Sequence, residues 1–110
     1  MQASQQAVFI SHGGGPMPLL GDPGHRALTE HLVQLAGTIR RPKAILIISA
    51  HWEESVVTVT THPTPELIYD YYGFPPESYA INYPCAGEPE LAGKVAQVIR
   101  AAGIDVAEDP

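Results

Sequence analysis

Two apolar runs, Ala7-Val8-Phe9-Ile10-Ser11 and Ala44-Ile45-Leu46-Ile47-Ile48-Ser49-Ala50, each stop at a histidine: His12 and His51. Between them Leu28, Leu32, Leu35, Ala36 and Ile39 recur at helical spacing, so that segment has one face to bury. Strand, helix, strand reads as a βαβ unit, whose strands run parallel and emerge at the same edge of a sheet. In open α/β sheets ligands bind outside the carboxyl ends of the strands. The two imidazoles are therefore candidates to share one metal ion.

The rest of the chain extends this pattern. The Gly- and Pro-rich stretch from His12 to Gly24 predicts a loop. Asp22-Pro23 predicts the helix start, with the Asp22 side chain as cap, and Pro42 its end. Val56–Thr61 is β-branched and predicts a strand. Gly87-Glu88-Pro89 opens a second helix with Leu91, Val95, Val98, Ile99 and Ala102 on one face, and Gly103 is placed to terminate it. Ile104-Asp105-Val106-Ala107 begins a further strand. The order β-α-β-β-loop-α-β predicts an α/β fold, a mostly parallel sheet with flanking helices, in one domain over 1–110. Only Glu108-Asp109-Pro110 follows the last strand. The fold is therefore expected to be incomplete, and the chain to be the N-terminal portion of a larger protein.

A formal net charge of −6 with only six Lys and Arg excludes a nucleic-acid partner, since phosphate binding needs clustered cations. The one small cluster, Arg40, Arg41 and Lys43, follows the first helix pattern and complements its C-terminal dipole. The single cysteine, Cys85, allows no internal disulfide and reads as a small packing residue, in keeping with a cytoplasmic protein. Met1–Gln6 lacks the basic and apolar parts of a signal peptide, and no apolar run has the length of a membrane span, so no membrane partner is expected.

Several other residues could carry chemistry. Glu53 and Glu54 beside His51 could be a ligand or base, but such residues usually stand in solvent at a loop. His62 precedes Pro63 after a strand. His25 and His31 are six apart, the wrong spacing for shared chelation, and read as exposed helix residues. Asp70 lies among the aromatics of Ile68-Tyr69-Asp70-Tyr71-Tyr72-Gly73-Phe74-Pro75; it either lines a pocket for a planar substrate or stands exposed on a packing arm. That arm, His62 to Pro84, holds all five tyrosines and is expected to pass near the site or a subunit contact. Gly13-Gly14-Gly15 is followed by Pro16-Met17-Pro18, so it is no phosphate loop; it suits close approach of a bound ligand. No G-x-S-x-G, CxxC, HExxH or EF-hand pattern occurs.

Phe9-Ile10-Ser11-His12-Gly13-Gly14-Gly15-Pro16, then Ile48-Ser49-Ala50-His51-Trp52, then Tyr69-Asp70-Tyr71-Tyr72-Gly73-Phe74-Pro75 resemble, in that order, the class III extradiol ring-cleavage dioxygenases. The nearest subgroup is the DOPA 4,5-dioxygenase type, related to the LigB catalytic subunit. The resemblance implies a LigB-like α/β sandwich. It further implies a non-haem metal, Fe(II) first and Zn(II) second, that binds a catechol-type aromatic substrate such as DOPA beside O₂. His12 and His51 match two of the metal ligands. Neutral imidazoles suit either metal and leave positions open for substrate and dioxygen. The family's further ligand and its acid–base histidine fall beyond residue 110, so this chain alone is expected to be inactive, with an oligomer or a second chain as one way of completing the site.

Two other readings stand beside this one. A zinc hydrolase or a Memo-like metal-binding protein of the same fold would use strand-end histidines without oxygen chemistry. A non-catalytic interaction module would use the tyrosine-rich arm as a dimer surface.

Overall fold

The computed structural model describes residues 6–110; most of the Met1–Gln6 segment lies outside them. The chain divides into two compact units, each described by itself. The first comprises the chain through Lys43 together with Tyr71–Ala80, and the second Ala44–Asp70 together with Ile81–Pro110.

In the second unit the segment opened by Pro89 forms a helix over Pro89–Ala101, and strands form over Val57–Thr60 (β1) and Val106–Asp109 (β2). The strands are parallel, with Val57 opposite Val106 and Thr60 opposite Asp109. The β-branched run Val57-Thr58-Val59-Thr60 has the stiff side chains that suit a pleated surface. Thr61 N–H donates to the Asp109 carbonyl at 2.8 Å, extending the ladder by one bond. The helix packs on both strands. Its buried residues are Ala92 and Ala96, one turn apart, so the backbone sits close to its support. Val98, expected on the buried face, is 70% exposed; the seat is the alanine stripe beside Leu91, Val95 and Ile99.

The helix ends as the sequence predicts. Gly103 has φ +85°, its N–H donates to Arg100 O, and Ile104 N–H donates to Ile99 O. These two bonds form a Schellman motif, which satisfies the last carbonyls and turns the chain into β2. Arg100 then reaches forward to the Val106 carbonyl at 3.1 Å and the Glu108 carboxylate at 3.3 Å.

In the first unit, a 3-10 turn over Pro23–His25 leads into helix α1, Arg26–Thr38; the helix over Pro89–Ala101 is α2. Helix α1 gives up its helical dihedrals at Ile39, before Pro42. Leu28, Leu32 and Leu35 face the run 8–11, and together with His31 they line an apolar hollow of about 300 Å³. A second 3-10 turn, Met17–Leu20, and a third, Pro76–Ala80, complete the unit.

The parallel α/β arrangement is therefore present, and two strand assignments are corrected. The runs 7–11 and 44–50 are extended, but neither forms a ladder among the described residues. Phe9 is fully exposed, and Ile45 through Ile48 are each at least 60% exposed. Apolar composition marks a run that gains from burial; a strand also needs a neighbour to take its N–H and C=O groups. Among the described residues, no helix is long and apolar enough to cross a membrane.

Candidate metal centre

His12 lies in the first unit and His51 in the second. Among the described residues, no three His, Cys, Asp or Glu side chains gather closely enough to hold a metal ion.

Around His51 the local geometry is specific. Its backbone N–H donates to Ser49 Oγ at 3.1 Å, which gives Ser49-Ala50-His51 a local reason for its spacing. Its ring Nδ1 lies 2.9 Å from Asp70 Oδ2, a partner brought in from the aromatic arm. The side chains are 54% and 40% exposed. Trp52 donates its indole N–H to Glu54 Oε1 at 3.0 Å, so Glu54 is engaged within its own loop. Glu53 is exposed, as expected. His62 accepts the Thr64 N–H on Nδ1 at 2.9 Å and closes a local turn.

His12 is followed by a loop that two side chains hold. Gly13 and Gly15 have φ +75° and +51°, where a Cβ is strained. A Cβ on Gly13 would lie 2.5 Å from His25 Cδ2, and one on Gly15 would lie 2.7 Å from Phe74 Cζ. The Gly13-Gly14-Gly15 and Gly73-Phe74-Pro75 motifs thus meet in space: the glycine clears room for the phenyl ring. Tyr71 packs edge-on to Phe74 with ring centroids 5.5 Å apart. Tyr71 also donates its hydroxyl to the carbonyl of buried Ser78 at 2.6 Å.

His25 is a correction. It was expected to be an exposed helix residue, and Asp22 a helix cap. Instead Asp22 makes no side-chain cap bond. Its carboxylate lies 2.6 Å from His25 Nδ1, and the Gly14 N–H donates to His25 Nε2 at 3.1 Å. The His25 side chain is 24% exposed. Both ring nitrogens are therefore committed to the loop that follows His12. The Asp-x-x-His spacing beside a glycine loop was the available signal. His31 is exposed, as expected, and Cys85 is exposed rather than packed.

The aromatic arm folds on its own backbone. Tyr69 donates its hydroxyl to the Ile81 carbonyl, and Tyr79 donates to the Tyr71 carbonyl at 3.3 Å. Of the five tyrosines only Tyr71 is half-buried; the other four are exposed in this chain, Tyr72 most at 91%.

Neutral imidazole suits Fe(II) and Zn(II), and histidines that ligate metals usually give their other ring N–H to a carboxylate or carbonyl. His51 has a carboxylate of that kind beside it in Asp70.

The family model for the catalytic LigB subunit of aromatic ring-opening dioxygenase matches residues 7–109. The chain is 47% identical, over 94% of its length, to a dioxygenase of Hapsidospora irregularis designated tasH, of which it spans 34%. It is 38% identical to the 4,5-DOPA dioxygenase extradiol of Escherichia coli (strain K12), over 84% of this chain and 33% of that one. It is 36% identical to that of Beta vulgaris, over 90% and 37%. The chain thus spans about a third of the length of the curated relatives it matches.

Proposed function

The chain belongs to the family of catalytic LigB subunits of aromatic ring-opening dioxygenases, and from that premise we propose that it serves extradiol cleavage of a catechol-type aromatic with O₂, contributing His12 and His51 as metal ligands. The observation that carries this reading is the family match over residues 7–109, which includes both histidines and all three ordered motifs. The ion proposed is Fe(II), with Zn(II) second. When bound, a ferrous ion supplies open positions at which a catechol and dioxygen can be held side by side.

The chain's own residues would do the holding. Asp70, 2.9 Å from His51 Nδ1, would accept a hydrogen bond from that nitrogen and fix the ring. His25 and Phe74 pack against the glycine loop that directs the chain away from His12. The glycines leave space in which the planar ring of a catechol can approach.

The test is oxygen uptake by protein reconstituted anaerobically with Fe(II), with DOPA and simple catechols as substrates. Ring-opened product should form in a polypeptide that joins this sequence to the parts completing the site and not in residues 1–110 alone, and His12→Ala and His51→Ala should each abolish it and lower Fe(II) retention. Fe(II) retention independent of both histidines would refute the site. Tight Zn(II) retention through both histidines, without uptake in any polypeptide carrying this sequence, would select the metal-binding alternative.

A further inference from the structure

We infer that Asp70 is the positioning residue for His51: its carboxylate sets which ring nitrogen carries the proton and so which nitrogen faces a metal. The inference rests on the reading of His51 as a ligand and deepens it. Asp70 Oδ2 lies 2.9 Å from His51 Nδ1. A carboxylate there accepts a hydrogen bond, so Nδ1 is the nitrogen that keeps its hydrogen and the ring's lone pair lies on Nε2.

The exposure of the pair argues for orientation over stability. At 54% and 40% exposed, the two side chains remain in contact with water, where ion pairs contribute little to folding. Tautomer choice survives such exposure, because it depends on the local acceptor. The backbone around the pair is also held. Ser49 Oγ accepts the His51 N–H, and Tyr69, next to Asp70, donates its hydroxyl to the Ile81 carbonyl. The carboxylate is therefore delivered to His51 from an anchored segment of the same unit. Of the carboxylates beside His51 in sequence, Glu54 takes the Trp52 indole N–H. Asp70 lies against the ring.

The experiment has two readouts. The first needs no variant: long-range ¹H–¹⁵N correlation of the metal-depleted protein reports the His51 tautomer directly. Protonated Nδ1 is expected, with conversion toward Nε2–H in Asp70→Ala and retention of Nδ1–H in Asp70→Asn, whose amide oxygen still accepts. The second is titration with Co(II) alone. Asp70→Ala should bind it on the order of 10–100-fold more weakly, and Asp70→Asn should fall between that variant and the unsubstituted protein. An Nε2–H tautomer in the unsubstituted protein, or equal Co(II) affinity in Asp70→Ala, would overturn the inference. His51→Ala separates the two claims. If it binds Co(II) as well as the parent, the ligand reading fails, while the tautomer still reports on Asp70.

Discussion

Two histidines in this molecule each face an aspartate, and the two pairs are built for different work. His25 meets Asp22 three residues away, across the 3-10 turn that starts α1. The pair is mostly shielded, and its second nitrogen accepts the Gly14 N–H. The ring is a strut: one end in the helix entry, the other in the glycine loop. His51 meets Asp70 from a distant part of the sequence, and the pair is about half exposed. No helical turn brings these two together, so the arm that carries Asp70 must be placed for it. The same chemical pair thus serves as a brace at the glycine loop and, in the proposed site, as the support of a ligand.

The comparison can be broken most sharply with metal affinity. His51→Ala should weaken Fe(II) binding by more than the roughly 10–100-fold expected for loss of a supporting carboxylate. His25→Ala should change it by less than about threefold, because both of its nitrogens already bind within the loop region. Anaerobic calorimetry of the two variants checks this; equal losses would erase the distinction.

Next in size is the glycine loop. Gly13→Ala places a Cβ at φ +75° and against the His25 ring, and should cost about 1–3 kcal/mol. Urea unfolding measures it. If the brace reading holds, part of that cost should vanish in a Gly13→Ala, His25→Ala double variant, with a coupling of at least about 0.5 kcal/mol. Strict additivity would mean that His25 does not press on the loop.

His25→Ala alone should destabilise by about 1 kcal/mol, through loss of the acceptor for Gly14 and the partner of Asp22. The smallest effect should come from Glu108→Ala. That carboxylate and Arg100 are 40% and 47% exposed, so their pair should be worth no more than about 0.5 kcal/mol in the same urea experiment.

The two helices and the existence of β1 and β2 were legible in the sequence because their signals are local: Pro89 at a helix start, Gly103 past its end, a run of β-branched residues; the pairing of β1 with β2, and the start of β2 at Val106 where Ile104 was expected, were not. The runs 7–11 and 44–50 were misread as strands because an apolar run shows what gains from burial without showing which neighbour will pair with it. His25 was misread for a related reason. Asp22 was assigned to the helix cap, and a backbone amide such as that of Gly14 leaves no trace in a sequence. The histidines ending the two runs were legible as candidates from their motifs. Asp70 could be noticed but not given a role, since its partner lies across a long-range contact.

The central claim, that His12 and His51 ligate one metal ion, is tested most directly by X-ray absorption of the Fe(II)-loaded protein, which counts imidazoles bound to the metal. The account predicts that His12→Ala and His51→Ala each remove one imidazole from the count while His25→Ala removes none. An unchanged count in either of the first two variants would contradict it.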